Sequence, residues 1–439
     1  MAVSATALTD GLIGILGSEG LLTDPATLER CAVDGLCPRW VARPATAEDL
    51  SRLLHLASDE DLAVIPRGNG GRMALGNVPT RVDLMVELSR LSQVLAYEPD
   101  DLTVTVQAGI SLDSLAAQLT ARRQFLPLDP LVGAPRTVGG VLAVNDFGPL
   151  RFRYGTARDL LLGVRFAQAD GTLTWGGARV VKSVTGYDIP KLLVGSLGSL
   201  GILIELALRL HSMPEAEGHW LVCFASAEKA GDFLALILDS ALEPSRLELV
   251  NGAALDALGI EPFPAAVGVS VGSVAEAVRS QGEALADLAR RCGAERHAPI
   301  GPDLWQGLGR ALTAEGDVLL KVSTLPALTA DRLGMIAGLA GSLGLRARVA
   351  AEAGSGVLHA SLTASFPAEA WERDVIGSLR ERVAPEGGSV VAERAPAGVK
   401  ARLDVWGPVE PAVLTIMKRL KAEFDPRGIL NPGRFVDRI

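Results

Sequence analysis

Cysteine is scarce and unpaired in pattern: Cys31, Cys37, Cys223 and Cys292 never form a C-x-x-C spacing. That argues against a thiolate-held zinc or iron–sulfur site within the chain and fits a reduced, cytoplasmic setting. Long apolar runs are also missing, since stretches such as 160–164 and 201–204 fall far short of the roughly 18 residues a membrane span needs. A basic excess is absent: 42 Lys and Arg stand against 51 Asp and Glu, a net charge of −9, so a phosphate backbone would be repelled and nucleic acid is excluded as a partner. Only five histidines occur, at His55, His211, His219, His297 and His359, too dispersed for a closed metal site. The first twenty residues lack a basic lead-in and carry Asp10 and Glu19, which reads as a short amphipathic helix and not as a secretory signal.

What is present is a 439-residue chain with 48% hydrophobic and 21% charged residues, enough for a real core and two or three domains. Thr46 with Asp49 predicts a capping box, with Leu50, Leu53, Leu54 and Ala57 continuing at helical spacing. Strands are expected at 62–65, 82–88, 102–107, 161–167 and 202–210, with an Asp170-Gly171 hairpin turn. Met213, Pro214 and the stretch 215–218 mark a boundary. Beyond it, strands at 220–224, 246–250, 265–271, 318–323, 346–351 and 357–362 alternate with helices at 226–240, 274–291, 327–343 and 366–382, which suits a sheet covered by helices on one face. The expected organisation is an N-terminal helical segment (1–40), a domain over 41–213, a second domain over 214–424 and a tail over 425–439 returning to the first domain.

Three glycine-rich segments carry the chemistry. Pro66, Arg67, Gly68, Asn69, Gly70, Gly71 and Arg72 follow a strand directly, and their backbone can turn several amides onto one anion such as a pyrophosphate. An ordinary turn between strands is the alternative; a Walker loop and a Rossmann turn are excluded by the missing Gly-Lys-Ser/Thr and G-x-G-x-x-G spacings. The second segment runs through Asp129-Pro130 to Arg136, Thr137, Val138, Gly139 and Gly140, then Asn145 and Tyr154-Gly155. Its Thr-x-Gly-Gly turn at a helix start would offer unblocked amides to a large flat ligand, or pack as a glycine contact. The third is 195–202, with Gly198, Ser199, Leu200, Gly201 and Ile202 beside a strand edge.

In this order, over about residues 43–210, these segments resemble the FAD-binding domain of the vanillyl-alcohol oxidase superfamily, the PCMH-type fold. The resemblance implies an α+β protein in which a two-subdomain FAD-binding domain precedes an α/β cap domain with a mainly antiparallel, helix-covered sheet. It places the first loop at the FAD pyrophosphate, the Thr137-Gly139-Gly140 turn near the ribityl chain and ring, and 198–202 on the cofactor's other side. Covalent members carry a histidine at the end of the first loop, where this chain has Arg72, and no cysteine lies between Cys37 and Cys223. The implied FAD is therefore non-covalent.

The ending, with Asp404-Val405-Trp406-Gly407-Pro408 and 424–435, together with Lys182 to Asp188, resembles the FAD-binding E subunits of bacterial glycolate oxidases. That resemblance implies oxidation of glycolate or a similar 2-hydroxy acid, a D-like FAD subunit and an iron–sulfur subunit as partners, and peripheral membrane association only through the complex. Related D-type subunits bear closely spaced metal-binding histidines, whereas here 354–359 keeps His359 alone. No metal is expected and no catalytic residue stands out. His359 reads as a satisfied structural histidine, with a metal ligand or a catalytic base as the alternative. Lys321, within the apolar run 318–323, is read as snorkelling to the surface, with binding of a carboxylate as the alternative. Trp406 reads as core or interface. The rival functions are a self-sufficient dehydrogenase of another 2-hydroxy acid such as D-lactate, with its pocket at Lys321 and His359, and a non-catalytic scaffold.

Overall fold

A computed structural model describes residues 4–131, 136–178, 186–313, 316 and 318–439. The helix Ala5–Leu16 buries Leu8, Leu12 and Leu16 at i, i+4 spacing against the helix Ala47–Asp59. The latter begins at the anticipated capping box: the Asp49 amide donates to Thr46 Oγ1 (3.0 Å) and the Thr46 amide to Asp49 Oδ2 (3.2 Å). Among the described residues the first 213 form a four-stranded sheet, with spatial order Leu21–Leu22, Trp40–Ala42, Leu84–Glu87, Val64–Arg67, and a five-stranded antiparallel one, ordered Val94–Glu98, Thr103–Gln107, Ile202–Arg209, Leu161–Ala167, Leu173–Gly177. The Asp170 carboxylate fixes the hairpin turn by accepting from the Thr172 amide at 2.8 Å.

The chain leaves this unit through a shorter break than anticipated, because residues 216–218 already belong to the long strand Ala216–Phe224. That strand enters an eight-stranded, wholly antiparallel sheet ordered Arg296–Pro299, Ala216–Phe224, Ala265–Ser273, Arg246–Asn251, Arg346–Glu352, Val357–Thr363, Val318–Ser323, Ser389–Arg394. The first and last of these were not legible as strands: 296–299 has no apolar alternation and 389–394 carries charge at its end.

Alternation sorts this sheet's two faces. Leu247, Leu249, Val318, Leu320, Val322, Val349, Leu358 and Ala360 join one core with the helices Ala227–Leu238, Ala275–Arg291 and Thr329–Ser342. The intervening Arg246, Glu248, Lys321, Glu352 and His359 fall on the opposite face. Helices are not confined to one side, however. Gly252–Ala257 and Asp303–Thr313, both unanticipated, form a smaller core on the second face with Leu221, Val250 and Ala266.

After the helix Pro411–Phe424 the chain returns to the first unit. Leu430 bridges Val64 in parallel register, the Val64 amide donates to Ile429 O (2.8 Å) and the Asn431 amide to Val64 O (2.8 Å). Trp406 packs on Phe435 with centroids 5.2 Å apart and donates to Arg434 O at 3.0 Å, a core role as anticipated.

Candidate functional site

The strand Val64–Arg67 delivers the loop 68–72 to a cavity lined by Pro66 to Met73, Thr137, Gly139, Gly140, Gly198, Gly201, Ile202, Asn431 and Arg434. No described residue accepts from the amides of Asn69, Gly70 and Gly71, and all three residues line the cavity, so these donors are left available to an anion there. Gly68 is needed for another reason: a Cβ there would lie 2.1 Å from Thr137 Oγ1, so the loop backbone packs directly against the Thr137 side chain at the helix start. The tail adds two lining residues that local sequence patterns did not disclose. Arg434, fully buried, donates to Met73 O (2.6 Å) and Leu75 O (2.5 Å), and burial draws its pKa down to about 10. The Asn431 side-chain amide donates to Leu197 O.

Several anticipated contacts sit elsewhere. The Thr137 turn does not present free amides: Val138 donates to Ile110 O (2.9 Å), Gly139 to Ala108 O (2.8 Å) and Gly140 to Thr137 Oγ1 (3.1 Å). Its glycines serve packing, since a Cβ on Gly139 would meet Ala108 Cβ at 2.6 Å. Val138 is wholly buried in the first core, and Asn145 ends the helix Val138–Val144 in a left-handed conformation. Pro130 lines a separate cleft. Tyr154 stacks edge-on against Phe125 and His211 (centroids 5.3 and 4.9 Å), and Gly155 caps its short helix, so neither lines the cavity. Ser199 and Leu200 face the tail helix side, where Ser199 O accepts from Lys421 Nζ at 2.9 Å. Residues 182–185 of the segment Lys182 to Asp188 lie outside the described residues.

Beyond the loop, Arg72 turns inward to a buried polar cluster contributed by both units. Its guanidinium lies 2.8 Å from Glu393 and 3.5 Å from Asp146, which also lies 3.4 Å from Arg136. Glu393 is placed by a bulge: the strand 389–394 skips it between the partners of Leu319 and Leu320. Burial disfavours its charge, but the cations Arg72 and Lys321 outweigh burial and pull its pKa down to about 2. Burial likewise opposes the charge of Arg72, and Glu393 and Asp146 overcome it, raising the guanidinium's pKa.

His359 Nε2 sits 3.7 Å from Glu393, while burial depresses the ring's pKa and holds it neutral, so the contact is not an ion pair. Its Nδ1 has no hydrogen-bond partner among the described residues, which corrects the expectation of a satisfied structural histidine. Lys321, directly opposite His359 in the ladder, does not snorkel outward. Its Nζ lies 6.0 Å from the Phe147 ring centroid, and its charge acts on Glu352, His359 and Glu393. The cluster thus combines a cation, a neutral imidazole and a charge-compensated carboxylate. Among the described residues no His, Cys, Asp and Glu group is placed to hold a metal ion.

Because the folded-state pKa of Glu393 is depressed from the usual 4.5 to about 2, its contribution to stability is present above 4.5 and is lost as pH falls toward 2. Glu393→Gln is expected to flatten the acid limb of stability between about pH 5 and about pH 3 in urea unfolding. A parallel limb in the variant would contradict the assignment.

The glycine-bounded cavity with unpaired loop amides fits the phosphates of a dinucleotide, and comparison with known proteins specifies which one. Residues 38–177 match the family described as FAD binding domain, and 213–435, half of the chain, match that of FAD linked oxidases, C-terminal domain. The chain is 28% identical over 426 residues to glycolate oxidase subunit GlcD of Bacillus subtilis (90% of this chain, 88% of that protein). It is 30% identical to mitochondrial D-2-hydroxyglutarate dehydrogenase of Bos taurus (95% and 81%). The fold is shared with 4-ethylphenol oxidase from Gulosibacter chungangensis at a TM-score of 0.74 and 17% identity, covering 98% of this chain and 97% of that one. The architecture is the PCMH-type α+β fold, and no helix among the described residues is long and apolar enough to cross a membrane. The chain belongs to the FAD-linked oxidases, with FAD as its cofactor.

Proposed function

We propose that this chain is the FAD-binding subunit of a glycolate oxidase-like complex, taking part in oxidation of glycolate or a similar 2-hydroxy acid to the 2-oxo acid, with a D-like flavin subunit and an iron–sulfur subunit as partners. The observation that carries the substrate class is the pairing of Lys321 with the buried, neutral His359 directly across the ladder on one face of the sheet. A 2-hydroxy acid brings a carboxylate, which a lysine attracts, beside a hydroxyl whose proton a neutral imidazole accepts. Bound FAD supplies the two-electron acceptor for such a step. The loop 68–71 and the tail residues Asn431 and Arg434 hold the cofactor, without a covalent bond, and the Arg72–Glu393 pair fixes the floor on which His359 rests.

Assembly is supported by the helix Pro411–Phe424, which buries Lys421 and exposes Val413 (45%) and Ile416 (60%). A membrane would be reached only through partner subunits. A second reading, a self-sufficient dehydrogenase of an acid such as D-lactate, is favoured by Lys321 and His359 already standing opposite each other within a single chain.

An anaerobic absorbance spectrum before and after glycolate or D-lactate, followed by acid precipitation, separates the readings. The subunit reading expects FAD released by acid and bleached by substrate only when the partner subunits are present. Bleaching of the isolated chain would replace it with the self-sufficient enzyme. A chain without flavin would leave the scaffold.

A further inference from the structure

Glu248 and Glu352 stand directly opposite each other on the antiparallel strands Arg246–Asn251 and Arg346–Glu352, 1% and 2% exposed. Cross-strand neighbours of this kind have Cβ atoms about 5 Å apart. Both carboxyl oxygens of Glu248, and Oε1 of Glu352, are buried with no hydrogen-bond partner among the described residues. Glu352 Oε2 accepts from Ser355 Oγ (2.7 Å) and lies 3.8 Å from Arg151, whose guanidinium is mainly stacked on Phe147 at 4.2 Å. No ion pair to Glu248 is formed among the described residues. Leaving two facing carboxylates ionised and unsatisfied away from water is costly, whereas one proton between them removes a charge and provides a donor for an orphaned oxygen.

The groups facing the pair come from every neighbouring element. Gly268 lies opposite Glu248 on the other flanking strand and brings no charge. Arg246, two residues along, is drawn off by Asp129, whose Oδ2 is 3.2 Å from its Nε. Arg151 comes from the helix Arg151–Tyr154, and Lys321 and His359 from the adjoining strands. Asp129 and Arg246 both line a cleft of about 710 Å³ between the two units. Desolvation raises the pKa of Glu248 well above that of an ordinary carboxyl, that of Glu352 to about 7 and that of Asp129 to about 6.

We propose that Glu248 and Glu352 hold one proton between them at neutral pH and act as a proton reservoir joining the inner site at Lys321 and His359 to the cleft at Asp129. The relay half of this inference rests on the reading of that site as one that oxidises a CH–OH group. Oxidising CH–OH to C=O with FAD as two-electron acceptor leaves the hydroxyl proton with the protein. It passes through His359 to the carboxyl pair, and the pair releases its own proton by way of Asp129 to water in the cleft.

The reservoir is tested without substrate, by comparing the FAD-loaded protein with its Glu248→Gln/Glu352→Gln variant. Potentiometric titration from neutral to alkaline pH should release one more proton per chain from the parent, together with loss of an infrared band of a protonated carboxyl that the variant lacks. A difference of zero or of two protons would overturn the sharing. The relay is tested with a pH-indicator dye during anaerobic reduction by the hydroxy acid, in the presence of partner subunits if these are required. The variant should bleach roughly a hundredfold more slowly with substrate, while dithionite reduces both proteins alike. Equal bleaching and proton release in parent and variant would refute it, and failure of the parent to bleach would instead count against the functional reading.

Discussion

Asp425→Ala is expected to lower stability by about 4 kcal/mol in urea unfolding, the scale for breaking a buried charge pair by removal of one partner. Asp425 is 2% exposed and accepts from Lys421 Nζ (2.6 Å), the Ile429 amide (3.0 Å) and the Leu430 amide (2.8 Å). Burial lowers the pKa of Lys421, and Asp425 is what opposes that shift. Alanine would therefore strand a buried ammonium with only the carbonyls of Ser199 and Leu430, and free the two amides that start the tail along Val64. Asp425→Asn, which keeps an acceptor, should cost about half as much. A loss below about 1 kcal/mol for the alanine variant would show that the tail docks by its apolar residues instead.

Gly68→Ala should weaken FAD binding by roughly a hundredfold, or about 2.7 kcal/mol, in a fluorescence titration of the apoprotein. The added Cβ would meet Thr137 Oγ1 at 2.1 Å and its Cβ and Cγ2 at 3.2 Å. Thr137 has little room to withdraw, being 2% exposed and fixed as the cap of the helix Val138–Val144 by its bond to the Gly140 amide. The loop must retreat and carry its amides off the phosphate position. Thr137→Gly in the same chain vacates the space and is expected to restore part of the affinity. Unchanged affinity in Gly68→Ala would mean that the loop amides do not hold the cofactor.

Local patterns were enough for the loop and for most strands of both units, because glycine spacing and period-2 alternation are short-range signals. They failed where a residue's role depends on a distant partner. The Thr137 turn reads as a source of free amides until Ala108 and Ile110 are seen to take them. His359 and Lys321 looked bland in isolation, and only the register of four strands sets them beside Glu352 and Glu393. Glu393 itself sits in a strand that no apolar alternation announces, and its aim depends on a bulge. Arg434 and Asn431 were visible as part of a terminal motif, yet nothing in that motif reveals that they line the wall of a cavity begun more than 350 residues earlier.

That last separation sets an order of events in the cell. A ribosome has delivered the glycine loop long before it delivers residues 425–434, and until then the edge of Val64 is bare and one wall of the cavity is absent. The finished cavity therefore exists only in a chain translated through its tail, which makes its two ends, far apart in synthesis, inseparable in the folded wall.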